Sequence, residues 1–204
     1  AHGEKLHKPK GIWVSGNRLW VTDIDAVWIF DLKTRKGRKL ELKGITFAND
    51  PAVLGSSLYV SDNRADQVYR VEPADFLNHK GQPQVSVAVA GKGMYPNGLY
   101  PARDGSLLIV GFQPAKEPRG IYQLDRDGAV KVLAEKIGRL DGIHQMRDGS
   151  LLVSAWDSGS LSRWSTKGGM QLLAKGFKGP ADFCVIAEGT GMTVVVPDLV
   201  QSQL

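Results

Sequence analysis

The stretch LDGIHQMRDGSLLVSAWDSGSLSRW, residues 140–164, sets an Asp-Gly pair ahead of a short apolar run, continues through a second Asp-Gly turn, and ends in a dense alternating segment. The second pair, Asp148-Gly149, lies between two runs of strand-forming residues, where a hairpin turn belongs. The first pair, Asp141-Gly142, stands just before a strand, a place suited to neither a hairpin turn nor a helix cap. The same arrangement occurs elsewhere in the chain, and that recurrence decides the fold.

Five segments align: PKGIWVSGNRLWVTD from Pro9, ANDPAVLGSSLYVSD from Ala48, PNGLYPARDGSLLIVG from Pro96, LDGIHQMRDGSLLVSA from Leu140 and PADFCVIAEGTGMTVVVP from Pro180. Each has a small or polar pair, a short strand, a glycine-containing turn and a second strand of β-branched or aromatic residues. In the first four a third strand follows, VWIFDL, QVYRVE, GIYQLD and SLSRWS, and segments such as SVAVAG and VKVLAE supply a fourth. The starts are 39, 48, 44 and 40 residues apart, with no helical pattern between them. Four short antiparallel strands at that spacing predict an all-β fold, a β-propeller of four-stranded blades in one domain spanning residues 1–204. A β-sandwich is the alternative, but it rarely repeats one motif at so regular a spacing.

In a propeller the first strand of each blade lines the central channel, so the start of each repeat gains a meaning. The second positions are Lys10, Asn49, Asn97, Asp141 and Ala181, and the third are Gly11, Asp50, Gly98, Gly142 and Asp182. Different blades thereby send amides and carboxylates toward one point, and Asp141 is one spoke of a ring. Asn49, Asn97 and Asp141 offer hard oxygen ligands suited to Ca²⁺, or to Mg²⁺ and Mn²⁺. A cation held there could polarise a carbonyl or phosphoryl oxygen, with Asp141, helped by Asp182, as base or nucleophile. Lys10, Asp50 and Asp182 are the candidate substrate-binding residues. Lys10 could take a substrate carboxylate or an oxyanion, or form a structural ion pair with Asp182. Against all of these stands a structural reading, in which Asn and Asp at the start of an inner strand bond neighbouring backbone. Asp23 and Asp62, which end second strands, are expected to close turns in that way. His144 is expected to be a packed side chain, and Trp156 and Asp157 to lie near the channel mouth.

Composition narrows the remaining classes. Hydrophobic residues are 42% and charged residues 23%, a globular balance rather than a disordered one. The net charge of +5 draws most on LKTRKGRKLELK, residues 32–43, but no RNA-binding motif or basic helix accompanies that run. It is read as a solvated hairpin between outer strands, and no nucleic acid is expected. The single cysteine, Cys184, excludes an internal disulfide and a cysteine-based zinc cluster, and its apolar neighbours predict a buried thiol. No apolar stretch approaches 18 residues, so no membrane span is predicted. No G-x-S-x-G, phosphate-binding loop or H-E-x-x-H is present.

The set PKG, ND, PNGL, LDGI with LLVSAWDSGSL, and PAD with VVVPD resembles the senescence marker protein/gluconolactonase/luciferin-regenerating enzyme family, in its secreted bacterial branch with NHL-like repeats. The resemblance runs over nearly the whole chain. It implies six blades, of which five repeats are visible, and a central divalent cation, usually calcium or zinc. It implies a lactonase or related esterase or phosphotriesterase, and a periplasmic or secreted location, the cytoplasm remaining open. Its metal ligands match Asn49 in FAND, Asn97 in YPNG and Asp141 in LDG, the last also as base. Its glutamate ligand has no counterpart, because the first repeat here resembles the family's second blade and carries Lys10 at the channel position. The expectation is a chain truncated at both ends relative to the family. The absent blade would lie outside this sequence or come from a protein partner, or five blades would close alone. The functional expectation is a metal-dependent hydrolase of small lactones or esters, with a non-catalytic binding platform as the rival.

Overall fold

A glycine-containing turn every few residues and strands rich in Val, Leu, Ile, Trp and Tyr give short antiparallel ribbons, and the computed structural model is built of little else. It describes residues 5–113, 117–188 and 191–204, residues 187 and 188 by their backbone alone. The first blade comprises β1 (Pro9–Ser15), β2 (Arg18–Asp23), β3 (Ala26–Asp31) and β4 (Gly37–Glu41). The second comprises β5 (Ala48–Leu54), β6 (Ser57–Asp62), β7 (Gln67–Glu72) and β8 (Gln84–Ala90). The third comprises β9 (Pro96–Pro101), β10 (Leu107–Gly111), β11 (Arg119–Leu124) and β12 (Val130–Gly138). The fourth comprises β13 (Leu140–Gln145), β14 (Leu151–Ala155), β15 (Ser160–Ser165) and β16 (Gly169–Lys175). Each is an antiparallel sheet whose strands pair in sequence order.

The first four repeats therefore begin on the residues the motif marks, Pro9, Ala48, Pro96 and Leu140. The fifth does not make a blade. It forms a two-stranded sheet, β17 (Cys184–Glu188) with β18 (Gly191–Val195). After β18 the chain turns back on itself, Asp198 bridging both Pro180 and Gln203, so these residues add no third strand. The expectation of five repeats in a six-bladed ring is corrected to four four-stranded blades and a hairpin among the described residues. Among them, no helix is long and apolar enough to cross a membrane.

Packing follows from the alternation of the strands. Each pair of neighbouring blades buries its own cluster, because facing sheets interdigitate side chains of one parity. Trp20, Val27, Ile29, Leu58, Val60 and Phe76 fill the first junction. Ala52, Val68, Met94, Leu99 and Ile109 fill the second, and Val110, Ile121, Leu140, Val153 and Trp164 the third. Burying one such large side chain contributes about 1.5–3 kcal/mol. The outermost strands are wetter, β16 being exposed along its length. The basic run is the predicted solvated hairpin, carrying β3 into β4. On β1, Ile12 and Val14 are 61% and 55% exposed, and Ile186 and Met192 are exposed on the final hairpin. Cys184 is exposed as well, not buried, because the hairpin that carries it has no blade packed over it.

The aspartates that end second strands fasten the loops, as the sequence suggests. Asp23 accepts hydrogen bonds from the backbone of His7 and Lys8, at 2.9 and 2.6 Å. Asp62 accepts from the backbone of Thr46, Phe47 and Ala65 at 2.6, 3.1 and 3.2 Å. Asp198 does the same in the fifth repeat, taking Lys178 and Gly179 at 2.7 and 3.0 Å. These bonds to the ionised form hold the Asp198 carboxyl at about 2 although burial opposes them, and also lower that of Asp23. His144 packs against Tyr100, ring centroids 4.6 Å apart, and burial lowers its pKa.

Candidate functional site

The second and third residues of each repeat reach the channel because the inner strand bulges there. Pairing of first with second strand slips between Pro9 and Ile12, between Ala48 and Pro51, and between Leu140 and Ile143; in the third blade Pro96 and Leu99 bracket the same slip. Two inner-strand residues thus oppose one residue of the neighbour, a bulge that re-aims side chains. It falls on Lys10–Gly11, Asn49–Asp50, Asn97–Gly98 and Asp141–Gly142 in turn.

The residue opposite the bulge secures it. Thr22 Oγ1 accepts from Gly11 N at 3.0 Å and donates to the Asn49 carbonyl of the next blade. Ser61 Oγ accepts from Asp50 N at 2.9 Å and donates to the Asn97 carbonyl at 2.7 Å. Ser154 Oγ accepts from Gly142 N at 2.8 Å and donates to the Ala181 carbonyl at 2.8 Å. In the third blade the position is Val110, without a hydroxyl. There the Asn97 side chain crosses instead, its Nδ2 donating to the Leu140 carbonyl at 3.2 Å. Close approach of the blades also explains two glycines. A Cβ on Gly98 would overlap the Asp141 carbonyl oxygen, and one on Gly142 would overlap the Asp182 carboxylate.

Lys10, Asn49, Asn97 and Asp141 stand at a waist between two cavities, lining both. The mouth cavity, about 630 Å³, adds Phe47, Arg64, Tyr95, Phe112 and Trp156. The other, about 430 Å³, adds Asp50, Ala181 and Asp182 and the apolar Ile12, Val195 and Leu204. The Asn49 amide donates to Asn97 Oδ1, and Trp156 Nε1 donates to Asp141 Oδ2 at 2.8 Å. The structure thus brings together Asn49, Asn97 and Asp141, with Lys10 beside them and Asp50 and Asp182 on the far side of the waist. Among the described residues Lys10 forms no ion pair with Asp182.

Three carboxyls near the axis cannot all ionise freely. Burial raises Asp141 to about 6, against hydrogen bonds from Trp156 and Asn97, the Asp182 backbone and the Lys10 charge. Burial and the Asp141 charge raise Asp182 to about 7. Burial and the Asp182 charge push Asp50 well up, against the Leu99 N–H that it accepts at 2.7 Å. Such perturbed carboxyls in a cleft are a mark of functional sites.

The donors around the waist fit a hard cation in kind. All are oxygens, appropriate to Ca²⁺, Mg²⁺ or Mn²⁺ rather than to Zn²⁺. They carry the single negative charge of Asp141. Among the described residues no group of three or more His, Cys, Asp or Glu could hold a metal ion. A cation here would therefore be held weakly.

Of the wall of the mouth, sequence reading placed Trp156 and missed Phe47, Arg64, Tyr95 and Phe112. Phe47 and Tyr95 immediately precede the inner strands of their blades, and Phe112 and Trp156 immediately follow the second strands. Extending the repeat alignment by one residue at each side would have found all four.

Fold and waist together define a β-propeller with a polar channel site. No family model matches the chain, and no curated protein does. Solved structures do. The chain is similar to a candidate gluconolactonase at 16% identity and a TM-score of 0.66, over 94% of this chain and 75% of that one. It is similar to a calcium-binding protein, regucalcin, from Agrobacterium tumefaciens, at 15% identity and a TM-score of 0.66, over 86% and 63%. It is similar to virginiamycin B lyase from Staphylococcus aureus at 17% identity and a TM-score of 0.64, over 86% of this chain and 59% of the lyase. A nidogen/laminin complex also contains the fold, at 16% identity and a TM-score of 0.73, over 96% and 77%. The chain thus shares the propeller fold of the gluconolactonase-like proteins that its motifs resemble, and spans less than two thirds of the lyase.

Proposed function

We propose that this chain is a hydrolase of small lactones or related esters, acting in its channel with a divalent cation, in the first place Ca²⁺. The observation that carries this reading is the convergence of Asn49, Asn97 and Asp141, each from the bulge of a different blade, on one cavity. Held by these three residues, a hard cation would polarise the substrate carbonyl and make a bound water more acidic. Asp141, at about 6, is largely ionised at pH 7 and accepts the water proton as general base. The Trp156 indole N–H fixes its carboxylate. Lys10 offers a positive charge to the oxyanion that forms at the former carbonyl. Asp182, raised to about 7 by burial and the Asp141 charge, titrates in the same pH range. Likeness in fold to a candidate gluconolactonase and to regucalcin supports this assignment.

The test is turnover of a panel of γ- and δ-lactones and aryl esters with Ca²⁺ and with chelator. Asp141→Asn should lower kcat/KM by about 100-fold or more with unchanged circular dichroism. Full activity in that variant removes Asp141 from the mechanism, and no turnover by the native chain with Ca²⁺ overturns the assignment. The exposure of Ile12 and Val14 supports a second element of the reading, a protein partner packed against β1. Light scattering of the native chain against Ile12→Lys would detect it as a mass that the substitution reduces.

A further inference from the structure

The mouth cavity holds a second constellation, of which the hydrolytic reading uses Lys10 alone. Phe47 carries two cations on its ring, the Lys10 ammonium 5.3 Å and the Arg64 guanidinium 4.5 Å from the centroid. Among the described residues neither cation is in an ion pair. An aromatic face holds a cation in place without neutralising it, so the charge stays available to a ligand. The Asp141 charge acts on Lys10, and Arg64 has no such counterpart among its described neighbours. Beside Asn63, Gln113 and Leu199, the rest of the wall above the waist is aromatic. Phe112 meets Trp156 edge to face, centroids 6.0 Å apart, and Tyr95 is backed by the Arg119 guanidinium at 4.9 Å. A cavity of about 630 Å³ lined by aromatic rings and by both cations selects by both features.

We propose that the mouth binds a ligand with an oxyanionic head and a flat apolar body, the head held by Lys10 and Arg64 and the body against Phe112 and Trp156. This rests on the hydrolase reading and deepens it, since it makes the substrate a lactone or ester that carries a carboxylate and an aromatic or similarly flat group. Arg64 then determines specificity without touching the bond that breaks.

Calorimetric titration with 2-naphthoate and with its neutral counterpart 2-naphthamide, in chelator throughout, tests the proposal. The naphthoate should bind about tenfold more tightly than the amide, and Arg64→Gln should bring the two within about twofold of each other. Arg64 is exposed, so its replacement leaves the fold intact. Phe47→Leu, which keeps the volume apolar but removes the ring that holds both cations, should also weaken the preference. Equal affinity for acid and amide, no binding of either, or an undiminished preference in Arg64→Gln would each overturn the proposal. So would a preference that arises only on adding Ca²⁺, because the anion would then be held by the metal. Absence of lactone turnover with the preference intact removes the hydrolase reading alone; turnover without the preference removes this inference alone.

Discussion

In blades 1, 2 and 4 a hydroxyl stands opposite the inner-strand bulge, while in blade 3 that place belongs to Val110. Thr22, Ser61 and Ser154 each take the bulge N–H and return a proton to a carbonyl of the following repeat. Blade 3 instead spends a channel side chain on the junction, Asn97 reaching the Leu140 carbonyl. The difference separates two residues that look equivalent in sequence. Asn49 stands at a junction that Thr22 already secures, so its side chain bonds across the channel to Asn97 Oδ1 and not to the backbone of the next blade. Asn97 serves channel and scaffold together, and it settles the strand from which Asp141 projects.

The largest effect expected from breaking this arrangement is at Gly98. Gly98→Ala drives a methyl group into the Asp141 carbonyl oxygen, backbone that cannot swing aside, and should cost about 3 kcal/mol in denaturant unfolding. A cost near zero would show that the junction is looser than it looks. Next comes the pair of asparagines. Asn97→Ala leaves a buried carbonyl without its donor and should cost about 2 kcal/mol, whereas Asn49→Ala takes away only the bond to Asn97 Oδ1 and should cost about 1 kcal/mol. Equal costs would erase the distinction between blade 3 and the others.

The hydroxyls sharpen it further. Ser61→Ala and Ser154→Ala should each cost about 1 kcal/mol. Val110→Ser offers blade 3 the missing hydroxyl, which by the pattern of the other blades reaches the Asp141 carbonyl and not the Leu140 carbonyl that Asn97 serves, so the two changes should add within about 0.5 kcal/mol in a double-mutant cycle. A separate effect is on pH dependence. Asp182 titrates at about 7 in the fold against 3.8 as its ordinary value, so the folded chain holds a proton that the unfolded chain has released. Its contribution is therefore full below about pH 4 and falls as pH rises toward 7. Melting temperature in chelator should decline across that window, and Asp182→Asn should flatten the decline. At the acid end Asp198, at about 2, acts in the opposite sense, losing its contribution as pH falls from about 4.

Much of this was legible in the sequence. The repeated pair followed by a strand, a glycine turn and a second strand marked the first residue of β1, β5, β9 and β13, because a bulge needs the same residue types wherever it recurs. It also placed Lys10, Asn49, Asn97 and Asp141 at one level of the channel. What the repeat could not carry was anything that differs between blades. The exchange of a hydroxyl for Val110 looks in sequence like an ordinary strand residue, and its meaning lies in the neighbouring blade. The aromatic wall sits one residue outside the strands, where no alternation operates. The fifth repeat has the motif but only two strands, since the motif describes the inner half of a blade and says nothing of the outer half. Cys184 was misread for the same reason: apolar neighbours in sequence do not guarantee a sheet packed over them.

The waist is assembled from bulges that lie 48 and 44 residues apart along the chain, at Asn49, Asn97 and Asp141. No single blade contains it, so it comes into being only when successive junctions have closed. A molecule bound at the waist would accordingly act as a rivet through the second and third junctions, stabilising the folded chain by its own binding free energy. The amide hydrogens to slow in exchange would be those of the three bulges and of Leu99, deep in the channel, rather than those of the outer strands. Binding would be visible in the backbone far from the rim where the ligand enters.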